Sequence, residues 1–317
     1  MDRTFLIQEF LKENNITNYQ LQKIAGDASF RHYFRVICGQ VSFIVMHAPP
    51  AKEDIQPFCK IANWLVEQKF SAPKIFAINQ ERGLLLLEDF GDESYRKAIE
   101  KGKDEIDLYQ GAVDLLVDLQ KINPPQDLPI YDENLLLKEV MLFIEWYLPE
   151  IIKKQINAKQ IGEFQNIWLD LFSKLSSPKN LVLRDYHSDN LMVLTNRDGV
   201  KKVGLLDFQD AVIGSSAYDL VSLLEDARRP VGKALQQKML QHYIKQSQCD
   251  EKQFITDYQI LSLQRNIKIV GIFSRLSVRD HKENYLKFLP IVFEYIHHRL
   301  QDHSLFVIKK FLYQSLN

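Results

Sequence analysis

The chain has 317 residues, enough for about two domains at roughly 150 residues each. Forty Lys and Arg against 41 Asp and Glu leave a net charge of -1, which excludes a protein built to coat nucleic acid or an anionic membrane. With 46% hydrophobic and 11% aromatic residues the chain can build a substantial core, so bulk disorder is excluded as well.

The opening residues, from Met1 to Asn14, carry charges where a signal peptide needs an apolar core, and they read as an amphipathic helix. Alternation from about Leu21 to Val45 then predicts a first strand ahead of Gly26 and further strands at 31–38 and 41–46, these two joined by a tight turn at Gly39-Gln40. Phe58, Ile61, Ala62, Leu65 and Val66 recur at helical spacing over 55–68. Short strands follow at 74–78 and 84–87, separated by Glu81-Arg82-Gly83. The first third is therefore expected to be a small, mostly antiparallel five-stranded sheet with one helix inserted after the third strand.

From Asp92 onward the pattern turns helical, with helices expected at 106–119, 134–148, 161–175, 217–227 and 233–245, and more toward the end. Pro149 is expected to stop the second of these just after Glu145-Trp146-Tyr147. Residues 180–207 interrupt the helices with short apolar strands at 180–183, 191–194 and 203–206. The fold class is α+β, with a boundary near residue 90 between a sheet-rich 1–90 and a helical 91–317. Cys38, Cys59 and Cys249 show no zinc or disulfide spacing, and no run of roughly 18 apolar residues occurs. A cytoplasmic protein is expected, with no membrane and no nucleic-acid partner.

The chemistry concentrates in Leu183-Arg184-Asp185-Tyr186-His187-Ser188-Asp189-Asn190, followed by Leu205-Leu206-Asp207-Phe208-Gln209-Asp210. Asp185 and Asn190 flank a polar loop and Asp207 closes the next strand, so three oxygen-bearing side chains are expected at one end of a small hairpin. Asn and Asp offer the hard oxygen ligands that Mg²⁺ prefers, with positions left over for water and phosphate. Singly each residue is ordinary turn chemistry. The joint spacing favours a site.

This arrangement resembles the aminoglycoside-phosphotransferase and choline-kinase branch of the protein-kinase-like fold, over essentially the whole chain. The resemblance implies a two-lobed fold, with nucleotide bound by the N-lobe (1–90) and the catalytic loop and acceptor held by the C-lobe (91–317). It implies that Asp185 faces the acceptor hydroxyl, that Asn190 and Asp207 hold Mg²⁺ beside ATP, and that Asp219 buttresses the loop. Five further stretches, at 27–31, 46–50, 87–92, 207–211 and 265–273, are similar to the bacterial cell-wall sugar kinases that act on the anomeric hydroxyl of N-acetylmuramate and N-acetylglucosamine in peptidoglycan recycling. The partner expected is thus a small amino sugar, and the enzyme a monomer or weak dimer. A kinase of aminoglycosides, choline or homoserine is the alternative, as is a catalytically dead relative.

Two departures stand out. Met46 occupies the strand position where kinases carry a phosphate-binding Lys, and Leu183 replaces the loop His. Arg31 is the candidate substitute, because a guanidinium suits phosphate oxygens. Asp27, Ser29 and Phe30 belong to the loop expected over the phosphates, and Glu88 and Phe90 to the hinge expected beside adenine. On the acceptor side Glu145, Trp146, His187, Asp210 and Arg265 are candidates. His187 either contacts the acceptor or braces the loop. Arg265 shares a helix face with Ile269, Ile272 and Phe273, so it is expected to point inward, toward either an internal carboxylate or one on the substrate.

Overall fold

A computed structural model describes residues 2–24 and 30–316. In chain order, α1 (Arg3–Glu13) precedes β1 (Gln20–Ile24), β2 (His32–Cys38), β3 (Val41–His47), α2 (Gln56–Glu67), β4 (Ile75–Asn79), β5 (Leu84–Glu88) and α3 (Tyr95–Glu100). Next come α4 (Glu105–Leu119), α5 (Glu133–Leu142), a π-helical segment (Phe143–Ile151) and α6 (Ala158–Phe172). Four short strands, β6 (Lys179–Val182), β7 (Leu191–Val193), β8 (Val203–Leu205) and β9 (Val212–Ser215), lead into α7 (Ala217–Leu224) and α8 (Lys233–Ser247). The chain finishes with α9 (Glu251–Arg279), α10 (Leu289–Arg299) and α11 (Phe306–Leu316). It divides into two compact units, Met1–Asp104 with Asp189–Asp210, and Glu105–Ser188 with Ala211–Asn317.

The first unit holds the expected five-stranded antiparallel sheet, in the order β1-β2-β3-β5-β4. Its hairpin turn uses Gly39 at φ +62°, a left-handed conformation that costs glycine nothing. Helix α1 lays Ile7, Phe10 and Leu11, one helical face, against Val36, Val45, Leu84 and Leu86 of the sheet. The later hairpin β7–β8 is fastened to the same unit through the backbone: the Leu205 amide donates to Ser71 O at 2.7 Å and the Val193 amide to Glu93 O at 2.9 Å.

The second unit is helical around α9, which packs against α5, the π-helical segment, α7 and α10. That helix is buried over most of its 29 residues, polar side chains included. It approaches the chain of α5 closely at Gly271, where a Cβ would lie 2.4 Å from the Leu142 carbonyl carbon and 2.6 Å from the Phe143 nitrogen.

Two local expectations are corrected. The three strands expected over 180–206 do not share one small hairpin: β6 pairs with β9, and β7 pairs with β8. Strand β9 carries Gly214 and Ser215 and no clean alternation, and its partners lie far away in sequence. Pro149 also does not end the helix at Tyr147. The chain widens into a π-helix from Phe143 and passes through Pro149 to Ile151. Pro149 removes one donor and crowds the carbonyl of the preceding turn, and the wider i−5 turn around it is where the chain absorbs this without ending.

Candidate active site

In the first unit, the Leu206 amide donates to Asn190 O at 3.0 Å, extending the β7–β8 ladder by one step. Asn190 and Asp207 therefore flank the open end of one hairpin. Asp207 has φ +58° and an exposed side chain, while Phe208 turns inward and stacks on Phe58 of α2 with ring centroids 5.1 Å apart. Burying the Phe fixes where the Asp must point. A left-handed conformation at a non-glycine residue costs free energy and concentrates at functional positions.

Arg31 joins this end of the hairpin. Its Nη2 lies 2.9 Å from Glu53 Oε2 and its Nη1 3.7 Å from Asp207 Oδ1. Burial works against its charge, but Tyr33 and Glu53 hold its pKa above the ordinary value. It stays a cation. Gln209 donates to Asp207 Oδ1 at 3.0 Å and to exposed Asp210 at 3.2 Å. Met46 is buried, paired across the sheet with Tyr33 and Leu85, so the position of the missing Lys lies in the core.

Of the other nucleotide-side candidates, Asp27 and Ser29 lie outside the described residues. Phe30 is exposed, with Lys52 Nζ 5.6 Å above its ring. The Glu88 amide donates to Lys74 O at 2.8 Å, and its carboxylate pairs with Arg197, whose guanidinium sits 5.1 Å above the Phe90 ring.

The donor set fits Mg²⁺. One carboxylate and one amide oxygen make an incomplete shell, suited to an ion that keeps water and phosphate oxygens as its other ligands. Among the described residues no group of three His, Cys, Asp or Glu could hold a metal, so no all-protein cage competes.

In the second unit, β6 runs into the loop that carries Asp185. Arg184 sits at φ +71° and is held on every side. Asp219 Oδ2 accepts the Leu183 amide at 2.6 Å and Oδ1 the Arg184 amide at 2.8 Å, while Ser222 Oγ donates to Arg184 O at 3.1 Å. The Arg184 guanidinium pairs with Glu139, which also accepts from Lys268 Nζ at 2.8 Å, from Gln264 at 3.2 Å and from Tyr131. Burial pushes the Asp219 carboxyl up to about 7, against the opposing pull of its two backbone donors.

The rest of the loop is pinned as well. Tyr186 donates to Ala112 O and Ser188 to Asp226, each at 2.8 Å. His187 is buried with Nε2 3.3 Å from Arg228 Nη1, and burial lowers its pKa, so the neutral ring accepts from the guanidinium. Asp185 reaches solvent. Desolvation by its surroundings pushes its pKa up, but Lys268, His187, Arg265 and Arg184 outweigh it and hold the carboxyl below the ordinary range.

The outer acceptor candidates differ in setting. Arg265 is buried, as its helix face implies, whereas Trp146 is half-buried and Glu145 exposed on the π-helical segment. A cavity of about 600 Å³ in this unit, lined by Tyr147, Lys153 and Phe293 among others, includes none of the motif residues.

Sequence reasoning missed Glu53, Glu139 and Lys268. The last two had a signal: each occupies a helix position that apolar spacing assigns to the core, with Leu136 and Val140 flanking Glu139 and Ile269 beside Lys268. A charge at such a position needs a buried partner.

Residues 20–253 match the family described as the phosphotransferase enzyme family. The chain belongs to it. The chain is 34% identical to an N-acetylmuramate/N-acetylglucosamine kinase of Caulobacter vibrioides, over 95% of this chain and 93% of that one. Its counterpart in Pseudomonas putida is 37% identical, over 87% and 82%. Among solved structures, a choline kinase from Streptococcus pneumoniae aligns with a TM-score of 0.65 at 12% identity, covering 93% of this chain and 99% of that one. The kinase-like α+β fold expected from the motifs is thereby borne out.

Proposed function

We propose that this phosphotransferase is an ATP- and Mg²⁺-dependent kinase that phosphorylates the anomeric hydroxyl of N-acetylmuramate, N-acetylglucosamine or both, in the recycling of peptidoglycan. The observation that carries the reading is the likeness to kinases of these sugars, at 34% identity across nearly the full length of both chains. The charge around Asp185 supports it. Arg184, Lys268 and Arg265 all bear on this carboxylate, a setting that repels the cationic acceptors of choline and aminoglycoside kinases.

Each side chain then has a task. Asp185, ionised at neutral pH, orients the acceptor hydroxyl and takes its proton. An anomeric hydroxyl is more acidic than an ordinary alcohol, so this base needs no raised pKa. Asn190 and Asp207 hold Mg²⁺, which when bound offsets charge on the transferring phosphoryl group. Arg31, charged and anchored by Glu53, takes the place of the strand Lys at the phosphates. His187, engaged by Arg228, braces the loop. Residues of the sheet-rich N-terminal region serve the nucleotide, and the helical region serves the sugar. No helix among the described residues is long and apolar enough to cross a membrane, which agrees with a cytoplasmic enzyme.

The test is a screen of amino sugars, choline and aminoglycosides with ATP and Mg²⁺, the product examined by phosphorus and proton NMR. Phosphorus coupled to the anomeric proton is expected, with no turnover of the 1-O-methyl glycoside. Turnover of that glycoside would overturn the anomeric assignment while leaving the kinase reading in place.

A further inference from the structure

The second unit buries five carboxylates, and each has its own partners. Glu139 takes Arg184 and Lys268; Glu225 takes Arg299, Ser262 and Asn266. Asp219 takes two backbone amides, Asp226 takes Ser188 and the Arg228 amide, and Asp257 takes the Ser176 and Ser177 amides and Ser215. Two cations are buried in the same unit. Lys268 is satisfied by Glu139 and by the Tyr218 hydroxyl at 3.1 Å.

Arg265 is not. It is only 6% exposed, its Nη1 is buried without a hydrogen-bond partner, and among the described residues no carboxylate pairs with it. Its charge is nevertheless felt by Asp185, His187 and Asp219, so the guanidinium lies beside the loop that faces the acceptor. Asp185 and Asp219 attract this charge, but neither forms an ion pair or hydrogen bond with it, so the desolvation of the buried guanidinium is only partly returned. Such an arrangement persists where an anion arrives with a ligand, and Arg is the side chain whose planar fork suits a carboxylate.

Resting on the sugar-kinase reading above, we infer that Arg265 binds the carboxylate of the acceptor and so sets the preference between the two sugars. N-acetylmuramate is N-acetylglucosamine carrying a lactyl ether, and the carboxylate of that ether is the chemical difference between them. An anion could also come from the nucleotide. Arg265 is grouped with Asp185, the residue assigned to the acceptor, which favours the sugar.

The test compares kcat/KM for N-acetylmuramate, for its lactyl amide and for N-acetylglucosamine in the wild type, Arg265→Gln and Arg265→Lys. Loss of one charged hydrogen bond corresponds to about 10- to 100-fold. The ratio of N-acetylmuramate to N-acetylglucosamine activity should fall by that factor in Arg265→Gln and recover in part in Arg265→Lys. Amidation should cost the wild type a similar factor and the Gln variant little. The amide comparison needs no variant and so survives poor folding of one. Equal losses for both sugars, or a raised KM for ATP in place of the sugar effect, would overturn the inference. A wild type that phosphorylates neither sugar fails at the sugar-kinase reading, and the inference falls with it.

Discussion

Asp219 offers the sharpest test of how the loop is held, because both of its oxygens are engaged by known donors at 2.6 and 2.8 Å. Asp219→Asn keeps the shape but only one acceptor oxygen, and it turns an NH₂ toward a backbone N–H. One charge-assisted bond becomes a donor–donor contact, costing about 2–5 kcal/mol locally. The group freed by that change is Arg184, strained at φ +71° and next to Asp185, so kcat should fall more than either KM rises. Titration supplies a second readout. The carboxyl rises from an ordinary 3.8 to about 7, which corresponds to about 4 kcal/mol between the protonation states. A raised folded-state pKa means the native protein holds the proton more tightly than the unfolded chain. Asp219 therefore contributes fully below pH 4, and its contribution is lost as the pH climbs to 7. Asn does not titrate, and every other group is common to both proteins. The stability of the wild type minus that of Asp219→Asn, from urea unfolding at several pH values, should shrink by up to about 4 kcal/mol between pH 4 and 8. A gap that stays flat or widens over that range, or an unchanged kcat, would refute the argument.

Three further perturbations probe other parts. Asp207→Ala should abolish turnover in a folded protein and remove the Mg²⁺ dependence of nucleotide affinity, measured by calorimetry with and without the metal. Arg31→Ala should raise the KM for ATP well above any change for the sugar; an effect on the sugar alone would count against a phosphate contact. In Gly271→Ala the new methyl meets backbone atoms at 2.4 and 2.6 Å, which cannot rotate away. Melting curves should show a loss of at least about 1–3 kcal/mol, and an unchanged Tm would mean that α9 can shift away from α5 freely.

Much of this was legible because certain patterns are local. The alternation over 31–46 contains its own turn, and the structure places β2 and β3 within a residue of it. Asn190 and Asp207 were readable as neighbours because each caps an apolar strand, and a three-residue hairpin leaves little freedom. What escaped depends on residues far away in the chain. Strand β9 exists because Lys179 to Val182 lie opposite it, and no pattern within Val212 to Ser215 announces that. The left-handed turn at Arg184 is a single residue whose conformation is imposed by Asp219 and Ser222 from α7. On α9, Gln264, Arg265, Asn266 and Lys268 form a polar run whose partners no local pattern names. They are buried because Glu139 and Glu225, contributed by α5 and the end of α7, satisfy three of the four. The fourth, Arg265, has its Nη1 buried without a hydrogen-bond partner.

The same surroundings decide what Asp185 can do. Lys268, His187, Arg265 and Arg184 hold its pKa below the ordinary value, so it is ionised at neutral pH. As a base it is therefore weak. It suffices only if the acceptor is unusually acidic, as an anomeric hydroxyl is, or if its main service is to orient that hydroxyl. Asp185→Asn separates the two, since it preserves shape and removes charge. Proton transfer and charge together are expected to be worth about 10²- to 10⁴-fold in kcat, with sugar affinity nearly unchanged. The wild-type pH profile of kcat should show no acid limb within the ordinary carboxylate range, because protonation of Asp185 comes below it. An acid limb that lies above that range and vanishes in Asp185→Asn would mean that the surrounding cations do not act on this carboxylate as the geometry requires. A folded Asp185→Asn enzyme with wild-type kcat would remove Asp185 from the reaction altogether.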